Sequence, residues 1–430
     1  MDTKRPTRTT SRVAGQGVNG TTSIALKQHA PKLPVEELPA ILPQFISIMS
    51  TETTSRSPYS RQNPFPGRLV VNRRLNPGSQ KDTRHLEVDL ASWGLSYEVG
   101  DSMAIYPSND PELVAEVVKA LGATGEETVP SSGKGDPLPL REALSKEYRI
   151  TQVTPKFLKT IAQRASGAPL LNELLHPERK ADLDNYVWGL EVIDFLLEHR
   201  SIHFTPEEFV GLLAKLQPRL YSIASSLKAF PDEVHFTLDV VRYESHGRQR
   251  KGVCSSFMAE RVEDGLMPVF PTTSKFRMPE DGNTPMIMVG PGTGIAPFRA
   301  FLQERKAVGA GGKSWLFFGS QRESCDYFYK DEWEQLQREG YLARIDCAFS
   351  RDQEQKVYVQ HRMRENSAEI WKWLDEGAHF FVCGDAKRMA KDVDAALRQI
   401  VEKEGGLDGE KANEYIEKMK TEKRYKRDVY

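Results

Sequence analysis

Residues 285–305 constrain the fold more than any other stretch. Pro285-Met286-Ile287-Met288-Val289 is a short apolar run without polar alternation, which suits a strand buried on both faces of a parallel sheet. Gly290-Pro291-Gly292-Thr293-Gly294 follows, and a helical pattern runs from Pro297 to Arg305. A strand that feeds a glycine turn and then a helix crosses over to a parallel neighbour, so the chain beyond it must supply further strands and helices in alternation. Strands are expected at 314–318, 342–349 and 379–382, with helices at 331–339, 358–366 and 386–401. The reading for 283–430 is a doubly wound parallel sheet with its ligand at the carboxyl ends of the strands. The glycine turn is not the G-x-G-x-x-G fingerprint. Ile295 stands where the third glycine would fall, and no acid lies near Ser314 to grip a ribose diol.

The chain ahead of this point has a different period. Residues 67–75 and 85–90 alternate apolar with polar side chains around the turn Asn76-Pro77-Gly78-Ser79, as half-buried antiparallel strands do. After a further short strand at 103–107, Asp110 and Pro111 open a helix that Gly122 closes. Helices are also expected at 138–145, 155–164, 168–175, 182–188, 191–198 and 206–216, a helical insertion over about 108–216. Strands resume at Arg219, 233–241 and 267–273, which gives an antiparallel barrel of about six strands over 62–282. The architecture expected is two domains, a β-barrel with a helical insertion followed by an α/β domain.

Two stretches of the barrel carry chemistry. Arg219-Leu220-Tyr221-Ser222 offers a phosphate clamp, an aromatic stacking face and a hydroxyl donor to one ligand, with Arg219 and Tyr221 on one face of the strand and Ser222 on the other face or in the turn. Gly252-Val253-Cys254-Ser255-Ser256 places backbone N–H groups and the hydroxyls of Ser255 and Ser256 at a helix N-terminus, where an anion can meet them. Both are expected to face one pyrophosphate. In the α/β half, Ser350 and Arg351 follow the third strand, and Lys356, Tyr358 and Gln360 alternate so as to face one ligand. Two cations, a hydroxyl and an aromatic suit a phosphomonoester beside a purine, hence NADPH rather than NADH. Cys383-Gly384-Asp385 places a thiol at a strand tip, and Arg427-Asp428-Val429-Tyr430 ends on an aromatic.

Composition removes several classes of function. Lys and Arg number 59 against 60 Asp and Glu, a net charge of -1, so the chain carries no overall signature of nucleic-acid binding. The 4 cysteines, Cys254, Cys325, Cys347 and Cys383, have no metal-ligand spacing, so no metal is expected and the compartment is read as reducing and cytoplasmic. No apolar run approaches the ~20 residues of a membrane span. Residues 1–61, rich in Thr, Ser and Gly, read as a disordered extension in which Met49 is an alternative start and a transit peptide the sharper alternative.

Taken in order, Arg219-x-Tyr221-Ser222, Gly252-Val253-Cys254-Ser255, Gly290-Pro291-Gly292-Thr293-Gly294, Ser350-Arg351 with Lys356-x-Tyr358-x-Gln360, Cys383-Gly384-Asp385 and Tyr430 resemble the diflavin reductase branch of the ferredoxin-NADP reductase superfamily. The resemblance runs from Asn63 to Tyr430 and is strongest to the flavoprotein (alpha) subunits of NADPH sulfite reductases; the P450 reductases of the branch end in Trp. It implies that Arg219 and the loop Gly252, Val253, Cys254 and Ser255 hold the FAD pyrophosphate and that Tyr221 stacks on the flavin. Ser222, Cys383 and Asp428 would be the catalytic group around flavin N5 and the nicotinamide, with Tyr430 over the opposite flavin face. Gly292, Thr293 and Gly294 would lie along the NADPH pyrophosphate, and Ser350, Arg351 and Lys356, with Tyr358 and Gln360, at its 2'-phosphate end. Cys254 stands where alanine is common, a small change in volume. The branch carries a flavodoxin-like FMN domain of about 150 residues ahead of this module, where only low-complexity sequence stands here, so FAD and NADPH are expected without FMN. Electrons would then pass to a siroheme and iron-sulfur sulfite reductase subunit, to a flavodoxin or ferredoxin, or to a P450-type hemoprotein. The non-enzymatic alternative is a degenerate structural subunit.

Overall fold

The computed structural model describes residues 57–165 and 169–430; Met49 and nearly all of the expected extension lie outside them. Strands β1 (Phe65–Arg74), β2 (Thr83–Asp89) and β3 (Ser102–Ile105) open an antiparallel sheet. Leu86 and Val88 on β2 and Met103 and Ile105 on β3 are fully buried, the period of two that the alternation predicts.

The insertion then begins with α1 (Pro111–Ala120), where the Asp110 carboxylate accepts the Glu112 N–H at 2.9 Å and Pro111 occupies the first turn, as expected. It continues through β4 (Thr128–Val129), β5 (Leu138–Pro139), α2 (Leu140–Lys146), β6 (Tyr148–Arg149), α3 (Pro155–Arg164), α4 (Pro169–Leu174), α5 (Lys180–Tyr186), α6 (Val192–Glu198), α7 (Pro206–Val210) and β7 (Ala214–Lys215). Phe157, Phe195 and Phe209 pack edge to face in a core belonging to the insertion itself. The helix expected over 206–216 ends early, because the chain turns after Val210 and β7 pairs with β6 instead.

The sheet resumes with β8 (Arg219–Ser222), β9 (Glu233–Asp239), the hairpin β10 (Arg242–Ser245) and β11 (Arg248–Lys251), helix α8 (Val253–Glu260) and β12 (Leu266–Thr272). Its six strands run in the order β8-β3-β12-β1-β2-β9, every pair antiparallel.

The second half alternates as its first unit requires: β13 (Met286–Val289), α9 (Ala296–Val308), β14 (Ser314–Ser320), α10 (Glu323–Asp326), α11 (Lys330–Arg338), β15 (Arg344–Phe349), α12 (Val359–Glu365), α13 (Ser367–Asp375), β16 (His379–Gly384), α14 (Met389–Glu404), α15 (Gly409–Thr421) and β17 (Tyr425–Val429). All pairings are parallel in the order β15-β14-β13-β16-β17, and all four residues of β13 are fully buried. Strand β17 and helices α10, α13 and α15 go beyond the expected elements. Tyr425-Lys426-Arg427-Asp428-Val429 is too polar to read as a buried strand; it forms at the sheet edge, where one neighbour is enough.

A buried polar seam joins the two sheets. The Arg299 guanidinium on α9 donates to the Ala224 carbonyl (2.8 Å), to His235 Nδ1 (3.1 Å) and to Glu332 (2.8 Å). Arginine only donates, so His235 carries its proton on Nε2 and gives it to Glu233 at 2.9 Å. His85 contacts Glu87 (2.9 Å) and the Tyr329 hydroxyl (3.0 Å), which also meets Thr237 at 2.6 Å. His85, Glu87 and His235 place ligand-type atoms within 4.8 Å of one another, but each imidazole nitrogen already has a hydrogen-bonding partner.

Burial, helped by the Arg299 charge, pushes His85 down to about 2 and His235 down to about 4. Unfolded histidines take up protons near pH ~6.5, so below that value the unfolded chain binds more protons than the folded one. Stability is therefore expected to fall as pH drops from ~6.5 toward ~4, by at most about 1.4 kcal/mol per pH unit per histidine. Urea melts at stepped pH check this. The slope should flatten in a His85→Gln/His235→Gln variant, and an unchanged slope there contradicts the assignment.

Candidate active site

Parallel pairing of β16 with β17 sets Cys383 directly opposite Asp428. Antiparallel pairing of β3 with β8 presents Ser222 from the other sheet. The three side chains converge on one atom: Asp428 Oδ2 accepts the Ser222 hydroxyl at 2.6 Å and the Cys383 thiol at 3.7 Å. Cys383 is fully buried, and burial together with the adjacent Asp428 carboxylate pushes its thiol well above the ordinary range. It stays a neutral donor, unsuited to nucleophilic work. A hydroxyl and a thiol held by one carboxylate form a rigid polar edge that can orient a reacting ring without covalent chemistry.

Tyr221 lies half-buried on β8, with its ring edge-on to Phe236 at 6.4 Å between centroids. Burial, and the Cys254 thiol beside it, pushes its phenol well above the usual range, so it remains a neutral aromatic plane. Arg219 is exposed and, among the described residues, donates to the Gln217 carbonyl at 3.1 Å. At the start of α8 no side chain among the described residues caps the helix, so the first-turn amides of Val253, Cys254 and Ser255 are without a capping acceptor. Free amide donors and an exposed arginine suit a pyrophosphate, so the residues fit a dinucleotide here.

The two serine hydroxyls do not take the position the sequence suggests. Ser255 Oγ accepts the Val241 N–H at 3.1 Å, and Ser256 Oγ donates to the Gly252 carbonyl at 2.6 Å while accepting from Arg261 at 2.7 Å. Both are turned into the fold, which leaves the backbone to meet the anion. Two exposed aromatics that sequence reading passed over, Trp188 and Tyr243, stand 6.3 Å apart at the hairpin running into Gly252. Tyr243 lies between Arg242 and Glu244, and Trp188 closes an expected helix, so neither stands out by apolar periodicity.

The glycine turn after β13 packs against the same edge. A β-carbon on Gly294 would sit 2.2 Å from the Cys383 carbonyl, so only glycine lets the turn lie on β16. Gly292 has a φ of +58° with open space around it. Thr293 Oγ1 meets the Tyr430 hydroxyl at 3.1 Å, and Tyr430 is 63% exposed while its backbone is tied to Gly384 and Ala386 at 3.1 Å each. The Asp385 carboxylate accepts the amides of Lys387, Arg388 and Met389, which lower its pKa and hold the turn after Gly384.

At the end of β15, Arg351 and Lys356 are exposed and form no ion pair among the described residues; Arg351 donates to Gln80 of the β1–β2 turn at 3.0 Å. Ser350 Oγ is bonded to the Ser320 carbonyl at 3.2 Å. The alternation expected over Lys356, Tyr358 and Gln360 breaks down because α12 starts at Val359. Tyr358 is exposed, whereas Gln360 is buried and donates to Asp392 at 3.3 Å.

Comparison with known proteins gives the same division. Residues 57–257 match the family described as FAD binding domain, and residues 288–395 the family described as Oxidoreductase NAD-binding domain. The chain is 49% identical over 380 residues to the sulfite reductase [NADPH] flavoprotein alpha-component of Bacillus subtilis (strain 168), covering 88% of this chain and 63% of that protein. It is 43% identical over 412 residues to that of Escherichia coli O9:H4 (strain HS), covering 94% and 66%, and 45% identical over 380 residues to that of Klebsiella pneumoniae, covering 87% and 62%. The chain thus spans under two thirds of the length of these curated relatives. An antiparallel FAD-binding sheet followed by a parallel NAD-binding α/β domain means that the chain belongs to the FAD- and NAD-binding oxidoreductases and is similar over most of its length to the sulfite reductase flavoprotein alpha-components.

Proposed function

We propose that this chain takes hydride from NADPH onto FAD and passes the electrons to a sulfite reductase hemoprotein carrying siroheme and an iron-sulfur cluster, as in assimilatory sulfite reduction. The observation that carries the reading is the convergence of Ser222 and Cys383 on one oxygen of Asp428, at the meeting line of the two sheets. The relatives' printed name supports the hemoprotein acceptor; a flavodoxin or ferredoxin is the alternative carrier. FAD, when bound, supplies a carrier that accepts a hydride and releases electrons singly.

The chain's own residues bind and orient. Arg219 and the amides of Val253, Cys254 and Ser255 hold the FAD pyrophosphate at the Gly252 turn, and Tyr221 stacks on the ring. Tyr430, exposed at the same edge, would cover the ring and could give way to the nicotinamide. Gly292, Thr293 and Gly294 would lie along the NADPH pyrophosphate, with Ser350, Arg351, Lys356 and Tyr358 at its 2'-phosphate and adenine end, while Gln360 is turned into the fold toward Asp392. Ser222, Cys383 and Asp428 would orient the nicotinamide, since hydride transfer needs reacting atoms within ~3 to 3.5 Å. In this reading the FAD-binding domain spans 62–282 and the NADP-binding domain 283–430. The setting is the cytoplasm, in keeping with the free thiols; no helix among the described residues is long and apolar enough to cross a membrane.

The purified protein is expected to be yellow and to reduce ferricyanide with NADPH. A colourless protein that stays inactive after FAD is added would favour the degenerate structural subunit and end this reading.

A further inference from the structure

Helix α9 is tied to both halves of the candidate site. On the coenzyme side it follows directly from the glycine turn, whose Gly294 lies on the Cys383 carbonyl. Its Phe301 packs edge-on to Phe381 of β16 at 5.4 Å between centroids, and both rings are fully buried, so the helix is fixed to the α/β core. On the barrel side it grips the segment that leaves β8. Arg299 and Gln303 stand one helical turn apart on a shared face, 6% and 8% exposed. Arg299 Nη1 donates at 2.8 Å to the carbonyl of Ala224, two residues beyond Ser222, and Gln303 Oε1 accepts the Ser226 N–H at 3.1 Å. The Ser226 hydroxyl donates to Glu304 of the same helix at 2.5 Å. Glu332 on α11 steadies both gripping side chains, accepting from Arg299 at 2.8 Å and from Gln303 at 3.0 Å.

Stability alone does not call for an arginine at this joint. A guanidinium is costly to take out of water, and apolar side chains of similar volume often fill such a place with equal or greater stability. What the guanidinium adds is direction, because its planar fork fixes the bearing of several acceptors at once. The acceptors here are the Ala224 carbonyl at the exit of β8, His235 Nδ1 on β9 and the Glu332 carboxylate on α11. Arg299 lies within about one turn of the start of α9, which leaves little slack between it and the glycine turn.

We propose that Arg299 is a positioning residue for hydride transfer: through the Ala224 carbonyl it sets where β8 holds Tyr221 and Ser222 relative to the glycine turn and Cys383. Gln303 shares the task at Ser226. The inference rests on the hydride-transfer reading above. The bonds of Arg299 go to none of the residues assigned to FAD or NADPH, so binding and rate should separate.

The test uses the full FAD-loaded chain and Arg299→Lys, which keeps the charge but replaces the fork with a point donor. Flavin reduction at saturating NADPH is followed by stopped flow, with NADPH and with NADPH deuterated at the transferred position. NADP+ is titrated through the change it causes in the flavin absorption, and melting temperature is recorded. Reduction per bound flavin is expected to slow roughly 10- to 100-fold, the effect of misplacing reacting atoms by about 1 Å. The isotope effect should rise and the NADP+ difference spectrum should change shape, while NADP+ affinity stays nearly unchanged. A purely structural clamp lowers the melting temperature and the fraction of chain that holds FAD, yet leaves the rate constant and isotope effect of the loaded fraction as in the wild type; that result overturns the proposal. Where Arg299→Lys does not fold, Gln303→Met retains the guanidinium and removes the acceptor of the Ser226 N–H: slower reduction with a raised isotope effect supports the proposal, and an unchanged rate overturns it. A wild type that takes no hydride from NADPH ends both readings, whereas a reducing wild type with indifferent variants ends this one alone.

Discussion

Asp428→Ala is expected to slow flavin reduction by NADPH about a hundredfold while FAD and NADP+ remain bound. The carboxylate is the common acceptor for Ser222 and Cys383, and its loss removes the anchor that holds both donors in place. Neither FAD nor the coenzyme phosphates depend on Asp428 for binding in the proposed arrangement, so affinity and rate should separate. Stopped-flow absorbance of the flavin measures the rate, and titration of NADP+ measures the affinity. Cys383→Ser is a graded control: a hydroxyl still donates to Asp428 but is shorter, so reduction should slow by less while FAD stays bound. An unchanged reduction rate in Asp428→Ala would return the cluster to a purely structural bond between the two sheets.

Arg351→Ala is expected to raise the KM for NADPH by roughly 10- to 100-fold and to leave the KM for NADH nearly unchanged. The estimate follows from losing charge-assisted hydrogen bonds to a phosphomonoester, about 1.5–3 kcal/mol. Among the described residues the exposed guanidinium donates to the neutral Gln80 side chain alone, so the substitution disturbs little else and the change in KM reads out coenzyme binding. Steady-state kinetics with both coenzymes decide the matter. Equal effects on the two would refute the 2'-phosphate assignment.

Much of the architecture was legible in local pattern. The buried run at 286–289 and the glycine turn after it required a parallel α/β domain, and the alternation ahead of them required an antiparallel sheet, because a period of two or a short fully apolar strand is imposed by the faces an element must bury. The polar strand β17 escaped, since an edge strand held by one neighbour needs no apolar run. The hydroxyls of Ser255 and Ser256 were misplaced for a related reason: sequence shows that a helix starts at Gly252, but not that Val241, Arg261 and the Gly252 carbonyl have already engaged both oxygens. Gln360 failed likewise, because its alternation with Lys356 held only as far as the first turn of α12.

The sequence alone determined which residue types the chain brings to a flavin and a nicotinamide coenzyme, because the glycines, the arginines and the cysteine lie in short motifs whose chemistry is local. What only the tertiary structure decided is that Ser222, Cys383 and Asp428 share one oxygen. Asp428 is 206 residues from Ser222 and 45 from Cys383, and no local preference reports a distance across two sheets. The register of β17 against β16 sets Cys383 beside Asp428, and the packing of the barrel against the α/β domain brings Ser222 to the same oxygen.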